Sequence, residues 1–536
     1  MTLFPKMDDI NITSASFENL IKNKYVYVDK TDYLYSLVRK EGGYYFLSRP
    51  RRFGKSLTVS TLKAIFQGKK ELFKDLYIGS TDYDFKEYPV VHIDFSALEV
   101  KKDDLFEKTL LSFIIAIADN YKITLKDTLS SKSAFKSLID GLYDKYGKVV
   151  ILVDEYDKPL SDNINKKREA LKIRDILRGF FEVIKASYDY VRFAFITGVT
   201  KYSKVSVFSS MNNLFDLSVN KKYGAMLGYT QEELEHYFAE GIDEGAKKLN
   251  LSRKDYLDKI KFWYDGYCFA PGAKRVYNPV SIGYFFEEEG EKFSNYWAKT
   301  GGTELPYEVA KKVHFNVETD IEQDFDLDTI ESYDIVDLAS TKVSKHNYNS
   351  LLFQAGYLTI KDDVDDSNVV SLGFPNEEIS RSFATILLPL YLGENTTANG
   401  NTLLRDLKPG NVNAFFDKMK AIFASIPYNI IGEHEYSFQT GFYCILKAIG
   451  AKIEAEVPTN KGRIDATLET DNHIYIFEFK VDQRAAIAIE QIKAKGYAER
   501  FNTPENKGKV LHLIGISFSE EHRNLDEIIQ EEYTIT

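Results

Sequence analysis

Two groups of residues in this chain combine types and spacings suited to chemistry on phosphates. The first is "RPRRFGKSL", residues 49 to 57, whose second half carries the Gly-Lys-Ser of a phosphate-binding loop. In such a loop successive backbone N–H groups and a helix N-terminus converge on the anion. The lysine adds charge near the β- and γ-phosphates, and the hydroxyl holds Mg²⁺. Gly54, Lys55 and Ser56 supply those parts, while Arg49 stands where the usual pattern has its first glycine and Pro50 removes one N–H donor. About a hundred residues on, "VVILVDEYD" ends an apolar run in Asp154 and Glu155. An aspartate at such a strand tip can hold Mg²⁺ through water, and the adjacent glutamate can orient and deprotonate an attacking water.

The second group lies near the C-terminus, in "GRID" and "IYIFEFK". Glu478 and Lys480 are two apart on one strand, so their side chains project from the same face. A hairpin that brings Asp465 beside Glu478 makes a two-carboxylate pocket for a hard cation such as Mg²⁺ or Mn²⁺, with the carbonyl of Phe479 as a third oxygen. Lys480 would position a metal-activated water, which is the chemistry of phosphodiester hydrolysis. A Glu-x-Lys pair on a strand edge is ordinarily a surface ion pair worth about 0–1 kcal/mol. "IYIFEFK" is too apolar for an edge, so its carboxylate must face something that satisfies it. Glu435 on the preceding helix, and Gln491 and Tyr497 on the following one, are spaced to flank the same pocket.

The elements that must position these residues are legible as alternating strands and helices. "GYYFLSR", "YPVVHIDFS", "KVVILVDEYD" and "VRFAFITGVT" read as buried strands, separated by helical-period stretches such as "KSLTVSTLKAIFQG", which Gly68 closes. That alternation implies βαβ units and a parallel sheet covered on both faces. "TQEELEHYFAEGIDEGAKKL" opens a helical extension with a threonine cap. "FWYDGYCFAPGAKRVYNP" is turn-rich and aromatic and is expected to fold back on the first domain. The C-terminal hundred residues read as a helix, three strands, a helix over 485–501 and a last strand, "KVLHLIGISFS", in the order αβββαβ. The domain boundaries expected from this are 1–230, 231–305, 306–429 and 430–536, the third a mixed connecting region.

Bulk properties narrow the classes. The 536 residues exceed one ordinary core, and 44% hydrophobic with 28% charged residues is a soluble globular composition. No apolar run reaches the roughly 18 residues a membrane span needs, and the first residues lack a secretory signal pattern. Cys268 and Cys444 are the only cysteines and lack metal-ligand spacing, which fits a reducing cytoplasm. A net charge of -11 weighs against non-specific coating of nucleic acid, so any such contact must be local or metal-mediated.

The stretches "YVDKTDYLYSL", "YYFLSRPRRFGKSLTVSTLKAIFQG", "VVILVDEYDKPL" and "AFITGVTKYSKVSVFSSMNNLFDLS" resemble the bacterial AAA-ATPase-like family over roughly residues 5 to 300. In that family Arg-Pro-Arg-Arg-Phe-Gly-Lys-Ser is the standard loop, so the resemblance implies ATP bound by Arg52, Phe53, Gly54, Lys55, Ser56 and Leu57, with Ser56 and Asp154 at the metal. It also implies a γ-phosphate sensor at Thr197 or Thr200, which the sequence does not separate, with Lys201 as a further polar residue after that strand. Arg49, Arg51 and Arg52 are left between three roles: clamping phosphates, serving a neighbouring subunit, or pairing with nearby acids.

Residues from roughly 430 to 520 resemble the PD-(D/E)XK nuclease superfamily, in its form found behind this type of ATPase. By that resemblance Asp465, Glu478 and Lys480 are the metal and catalytic residues. Glu435 is the helix acid, with Glu433 as its alternative in register, and Gln491 and Tyr497 match the motif on the next helix. Ile464 departs from the pattern, which has proline before the aspartate. Together the two resemblances imply a cytoplasmic ATP-binding and ATP-hydrolysing protein coupled to a metal-dependent phosphodiesterase acting on nucleic acid, DNA first. It has no membrane partner, and homo-oligomers are allowed. The alternative is a regulatory ATP switch whose nuclease-like domain binds nucleic acid or a protein without cutting.

Overall fold

A computed structural model describes the chain except for residues 1–9, 12–13, 99–104, 203–207, 209–210, 212, 300–303, 314–323, 331–342, 364–368, 393–399, 425–434, 449 and 536. It divides into two compact units, one formed by the described residues up to Val313 with Asp324–Glu378 and the other by those of Ile379–Thr536.

The first unit is built on β1 (Gly43–Ser48), β2 (Val90–Asp94), β3 (Val149–Asp154), β4 (Val191–Gly198) and the two-residue β5 (Phe215–Asp216). They form one sheet in the order β2-β3-β4-β1-β5, parallel throughout. Every residue of β3 and β4 is buried, which is why their sequences are continuous apolar runs. Covering helices follow the expected periodicity. In Lys167–Ala186 the buried positions Ala170, Ile173, Leu177, Phe181 and Ile184 recur every three or four residues. Phe180 of the same helix stacks on Phe135 of Ser131–Tyr146 with ring centroids 4.2 Å apart. That second helix starts with a reciprocal cap in which Ser130 and Ser133 satisfy each other's backbone N–H. Farther along, β6 (Asp324–Asp326), β7 (Thr359–Asp363) and β8 (Val369–Gly373) make a three-stranded antiparallel sheet in the order β6-β8-β7.

The second unit carries β9 (Lys452–Thr459), β10 (Gly462–Glu469), β11 (His473–Val481), β12 (Val510–Ser519) and β13 (Asn524–Thr534) in the order β13-β12-β11-β10-β9. Only β11 and β12 run parallel, joined through the helix Ala485–Ala494; the other neighbours are antiparallel. The expected αβββαβ order is present, with β13 as an additional edge strand the sequence reading did not include. Among the described residues no helix is long and apolar enough to cross a membrane.

Two local expectations change. The helix read over 485–501 stops at Ala494, because Gly496 takes a left-handed conformation (φ 63°), and Tyr497–Phe501 continues as a 3₁₀ turn. Tyr497 is therefore buried in the hydrophobic cluster of this unit with Ile464 and Ile492, rather than on the helix face beside Gln491.

Candidate functional site

In the parallel sheet, β4 lies between β1 and β3, so three strand ends converge: Ser48 pairs with Gly198, and Asp154 ends the next strand over. Open parallel sheets bind ligands at this carboxyl edge. The chain leaves β1 through the loop 49–54 and enters the helix Lys55–Phe66, whose N-cap is Gly54 at φ 93°. That left-handed cap is accessible to glycine at no steric cost, and it turns the first N–H groups of the helix toward the loop.

The three arginines have separate fates. Arg49 is 2% exposed, and its guanidinium donates to the carbonyls of Ser48 (2.9 Å), Ser218 (2.6 Å) and Tyr223 (3.2 Å). It also lies 4.3 Å from the ring centre of Phe269. It ties the loop to neighbouring backbone instead of pairing with acids. Arg52 is exposed and takes φ 68°, and Arg51 is half-buried. Phe53 packs edge-on against Tyr267 and Phe269, so the aromatic turn does fold onto the loop.

Lys55 is buried, and its ammonium donates to the carbonyls of Arg49 (2.9 Å) and Pro50 (3.0 Å). Burial pulls its pKa down against the charges of Glu155, Asp154 and Asp157. Asp154 accepts a hydrogen bond from the Ser56 hydroxyl and one from the Glu155 N–H at 3.0 Å. Burial pushes its carboxyl up to about 6, with the Ser56 hydrogen bond and Lys55 opposing the rise. Glu155 takes φ 48°, a left-handed conformation that a glutamate rarely adopts, and it lines the same cavity as Lys55 and Ser56. Thr197, one of the two sensor candidates, is fully buried and donates its hydroxyl to Leu47 O (2.7 Å), inside the sheet. Thr200 is the hydroxyl beside the acids: its Oγ1 and N–H both donate to Asp157 Oδ2, at 2.7 and 2.8 Å. Lys201 pairs with Asp216 at 2.6 Å.

In the second unit the β10–β11 ladder pairs Ala466 with Phe477, and the same register carries Asp465 opposite Glu478. Directly opposed residues of an antiparallel pair share a face. The Asp465 carboxylate accepts the N–H of Phe479 at 2.7 Å. Glu478 is 1% exposed; its Oε1 accepts from the Gln491 amide and lies 3.5 Å from the Lys480 ammonium, while its buried Oε2 has no hydrogen-bond partner. The Lys480 ammonium also donates to Phe479 O at 2.9 Å. Burial first, and then the charge of Asp465, push the Glu478 carboxyl up to about 8, with Lys480 pulling the other way. An orphaned buried carboxylate oxygen, a second carboxylate and a backbone carbonyl are hard oxygen donors, so the residues fit Mg²⁺ or Mn²⁺. Among the described residues no cluster of three His, Cys, Asp or Glu is arranged to hold a metal. Glu435 opens the helix Glu435–Ala448, its side chain lying outside the described residues, as does Glu433 altogether.

Residues 11–208 match the family described as "Predicted AAA-ATPase", and residues 433–528 match the PD-(D/E)XK nuclease superfamily. A relative from Azotobacter chroococcum mcd 1, "Uncharacterized protein in vnfD 5'region", is 34% identical over 523 residues, covering 95% of this chain and 95% of its own length. The chain belongs to this predicted AAA-ATPase family. Its C-terminal domain is of the PD-(D/E)XK nuclease superfamily.

Sequence reasoning missed part of the cavity over the phosphate-type loop. A cavity of about 390 Å³ opens over Gly54, Lys55 and Ser56, and its lining includes many apolar side chains. Ile10, Val26, Val28, Met226, Tyr229 and Phe238 are among them. The volume suits a nucleotide-sized ligand with a polar phosphate end and an apolar base end. The one signal in the sequence is the cap at Thr230, which fixes the helix Gln231–Tyr237 immediately beside Tyr229.

Proposed function

We propose that this AAA-ATPase-family protein binds and hydrolyses ATP in its first unit, and that its second unit is a metal-dependent phosphodiesterase acting on DNA. The observation that carries the cutting half is the buried Glu478 Oε2 with no protein partner, beside Asp465 and Phe479 O. A buried carboxylate oxygen without a partner is costly, and cation binding at this position relieves it.

In the first unit Lys55 exchanges its two loop carbonyls for phosphate oxygens, Ser56 and Asp154 hold Mg²⁺, and Glu155 takes the proton of the attacking water. Arg52, Phe53, Gly54 and Leu57 present backbone around the phosphates. In the second unit Asp465, Glu478 and Phe479 O hold Mg²⁺ or Mn²⁺, which when bound supplies charge neutralisation at the scissile phosphate and a more acidic water. Lys480 orients that water, Gln491 fixes the Glu478 carboxylate, and Glu435 is the helix acid. The family resemblance and the two buried cysteines, which form no disulfide, support a reducing, cytoplasmic setting.

The test is ATP hydrolysis and plasmid cleavage measured in one preparation, with Lys55→Ala and Lys480→Ala side by side. Loss of hydrolysis in the first and of cleavage in the second supports the assignment. Equal cleavage by wild type and Lys480→Ala overturns it. One observation favours a second reading, a regulatory ATP switch that does not cut: the Lys480 ammonium already sits on Phe479 O and near Glu478 Oε1, filling part of the pocket with an internal cation. Metal-independent DNA binding with no cleavage would select it.

A further inference from the structure

Of the three arginines in the loop, Arg51 is the one that lines both the cavity over Lys55 and the small pocket next to it. Arg49 is spent on backbone carbonyls, and Arg52 is exposed and lines the cavity over the loop but not the pocket beside Asp157 and Thr200. Arg51 lines the 390 Å³ cavity together with Lys55 and Ser56. It also lines a small adjoining pocket together with Glu155, Asp157 and Thr200. It therefore borders both the cavity over Lys55 and the pocket beside Glu155, Asp157 and Thr200. Its positive charge is felt by the Lys55 ammonium, which sets the guanidinium within electrostatic reach of the same phosphates. Among the described residues the guanidinium makes no hydrogen bond or ion pair of its own, although it is half-buried beside acids.

The backbone of Arg51 is held in place. Its carbonyl accepts the indole N–H of Trp297 at 3.4 Å, and the Trp297 N–H in turn donates to Glu378 Oε1 at 2.8 Å. Glu378 is fully buried and takes the Ser281 hydroxyl on its other oxygen at 2.7 Å. A guanidinium on an anchored residue, with its donors unspent, is preorganised for an anion.

We propose that Arg51 is an arginine finger carried in cis, its guanidinium binding the terminal phosphate of the nucleoside triphosphate and neutralising charge there as the phosphoryl group transfers. This rests on the nucleotide reading above. In the step, the water oxygen forms a bond to the γ-phosphorus while the bond from that phosphorus to the β–γ bridging oxygen breaks. The leaving diphosphate keeps the electron pair, and Glu155 receives the proton of the water. Arg51 forms no covalent bond. Because the loop itself supplies the charge, turnover needs no arginine from a neighbouring subunit.

The experiment uses the full-length chain with mant-ATP titration and ATP turnover for wild type, Arg51→Ala and Arg51→Lys. Arg51→Ala is expected to lower kcat by roughly 10³-fold or more while mant-ATP affinity changes far less. Arg51→Lys keeps the charge and the affinity but recovers little of kcat, because the planar fork is lost. Wild type is expected to trap ADP with aluminium fluoride, and Arg51→Ala is not. Mixing Arg51→Ala with Glu155→Gln chains is expected to restore no turnover. Wild-type kcat in Arg51→Ala overturns the assignment and leaves the nucleotide reading standing. A wild-type chain that neither binds mant-ATP nor turns over ATP overturns both. Turnover regained in the mixture overturns the cis placement.

Discussion

The ammonium of Lys480 stands 3.5 Å from Oε1 of Glu478, two residues back on the same face of β11. This internal cation offsets part of the cost of burying a carboxylate that also faces Asp465. The offset is incomplete, since Oε2 is left without a partner. Function and stability therefore pull in opposite directions at this residue.

Glu478→Gln is expected to raise the melting temperature of the metal-free protein by roughly 2–4 °C, the response of a unit this size to about 1 kcal/mol. The sign follows from linkage. A folded pKa of about 8, raised from 4.5, leaves the stabilising contribution intact below 4.5 and removes it as pH rises through 8. The advantage of Gln should therefore be larger at pH 9 than at pH 6, as scanning calorimetry at the two pH values will measure. Mn²⁺ should stabilise the wild type more than Glu478→Gln.

Lys55 spends its ammonium on the carbonyls of Arg49 and Pro50, bonds that nucleotide must replace. ATP at about 100 times its Kd should stabilise the wild-type chain by about 2.7 kcal/mol. Lys55→Ala should lose most of that ligand-induced shift in a thermal denaturation series. A full shift in the variant would remove Lys55 from the phosphate site.

Much of this was legible in the sequence because burial dictated it. Strands β3 and β4 are enclosed on both faces, so "VVILVD" and "VRFAFITG" are nearly pure apolar runs that end at the site. Asp465, Glu478 and Lys480 announced themselves as charges in an apolar hairpin. Other parts had no such signature. Strand β13, "NLDEIIQEEYT", is an edge strand whose outer half is exposed and acidic, so its alternation is diluted. The cavity walls Val28, Met226 and Phe238 come from distant segments and look individually like ordinary core residues. Thr197 and Thr200 are three apart, and only the paired strands reveal that one hydroxyl is consumed by Leu47 O and the other by Asp157. Tyr497 leaves the helix face because Gly496, left-handed, ends the helix that the periodicity continues.

The second unit contains a histidine pair, His473 half-buried and His512 buried, far along β11 from Lys480. His473 Nδ1 is 2.9 Å from His512 Nε2, and Gln530 donates to His512 Nδ1 at 3.1 Å. His512 is 1% exposed; burial, then His473, hold its pKa down at about 4, with Glu532 opposing. A folded pKa depressed from 6.5 gives stability that is complete above 6.5 and is lost as pH falls through 4. Urea midpoints should fall steeply over that interval in the wild type, and His512→Gln should flatten the fall.

Thr230 caps Gln231–Tyr237 by accepting the Glu233 N–H at 3.3 Å, while Glu233 returns a carboxylate to the Thr230 N–H at 2.8 Å and to Lys30 at 2.6 Å. Thr230→Ala should cost about 1 kcal/mol and Thr230→Ser much less. Because Lys30 and Tyr229 both line the cavity, mant-ATP affinity should weaken in step with the lost cap.

The most direct measurement is a calorimetric Mn²⁺ titration of the full-length chain carrying Asp154→Asn, without nucleotide, compared with the same chain also carrying Glu478→Gln. If Asp465, Glu478 and the Phe479 carbonyl form a cation pocket, the first chain binds Mn²⁺ and the second gives no saturable heat. Equal Mn²⁺ binding by the two chains contradicts that pocket, and with it the assignment of phosphodiester cleavage to this hairpin.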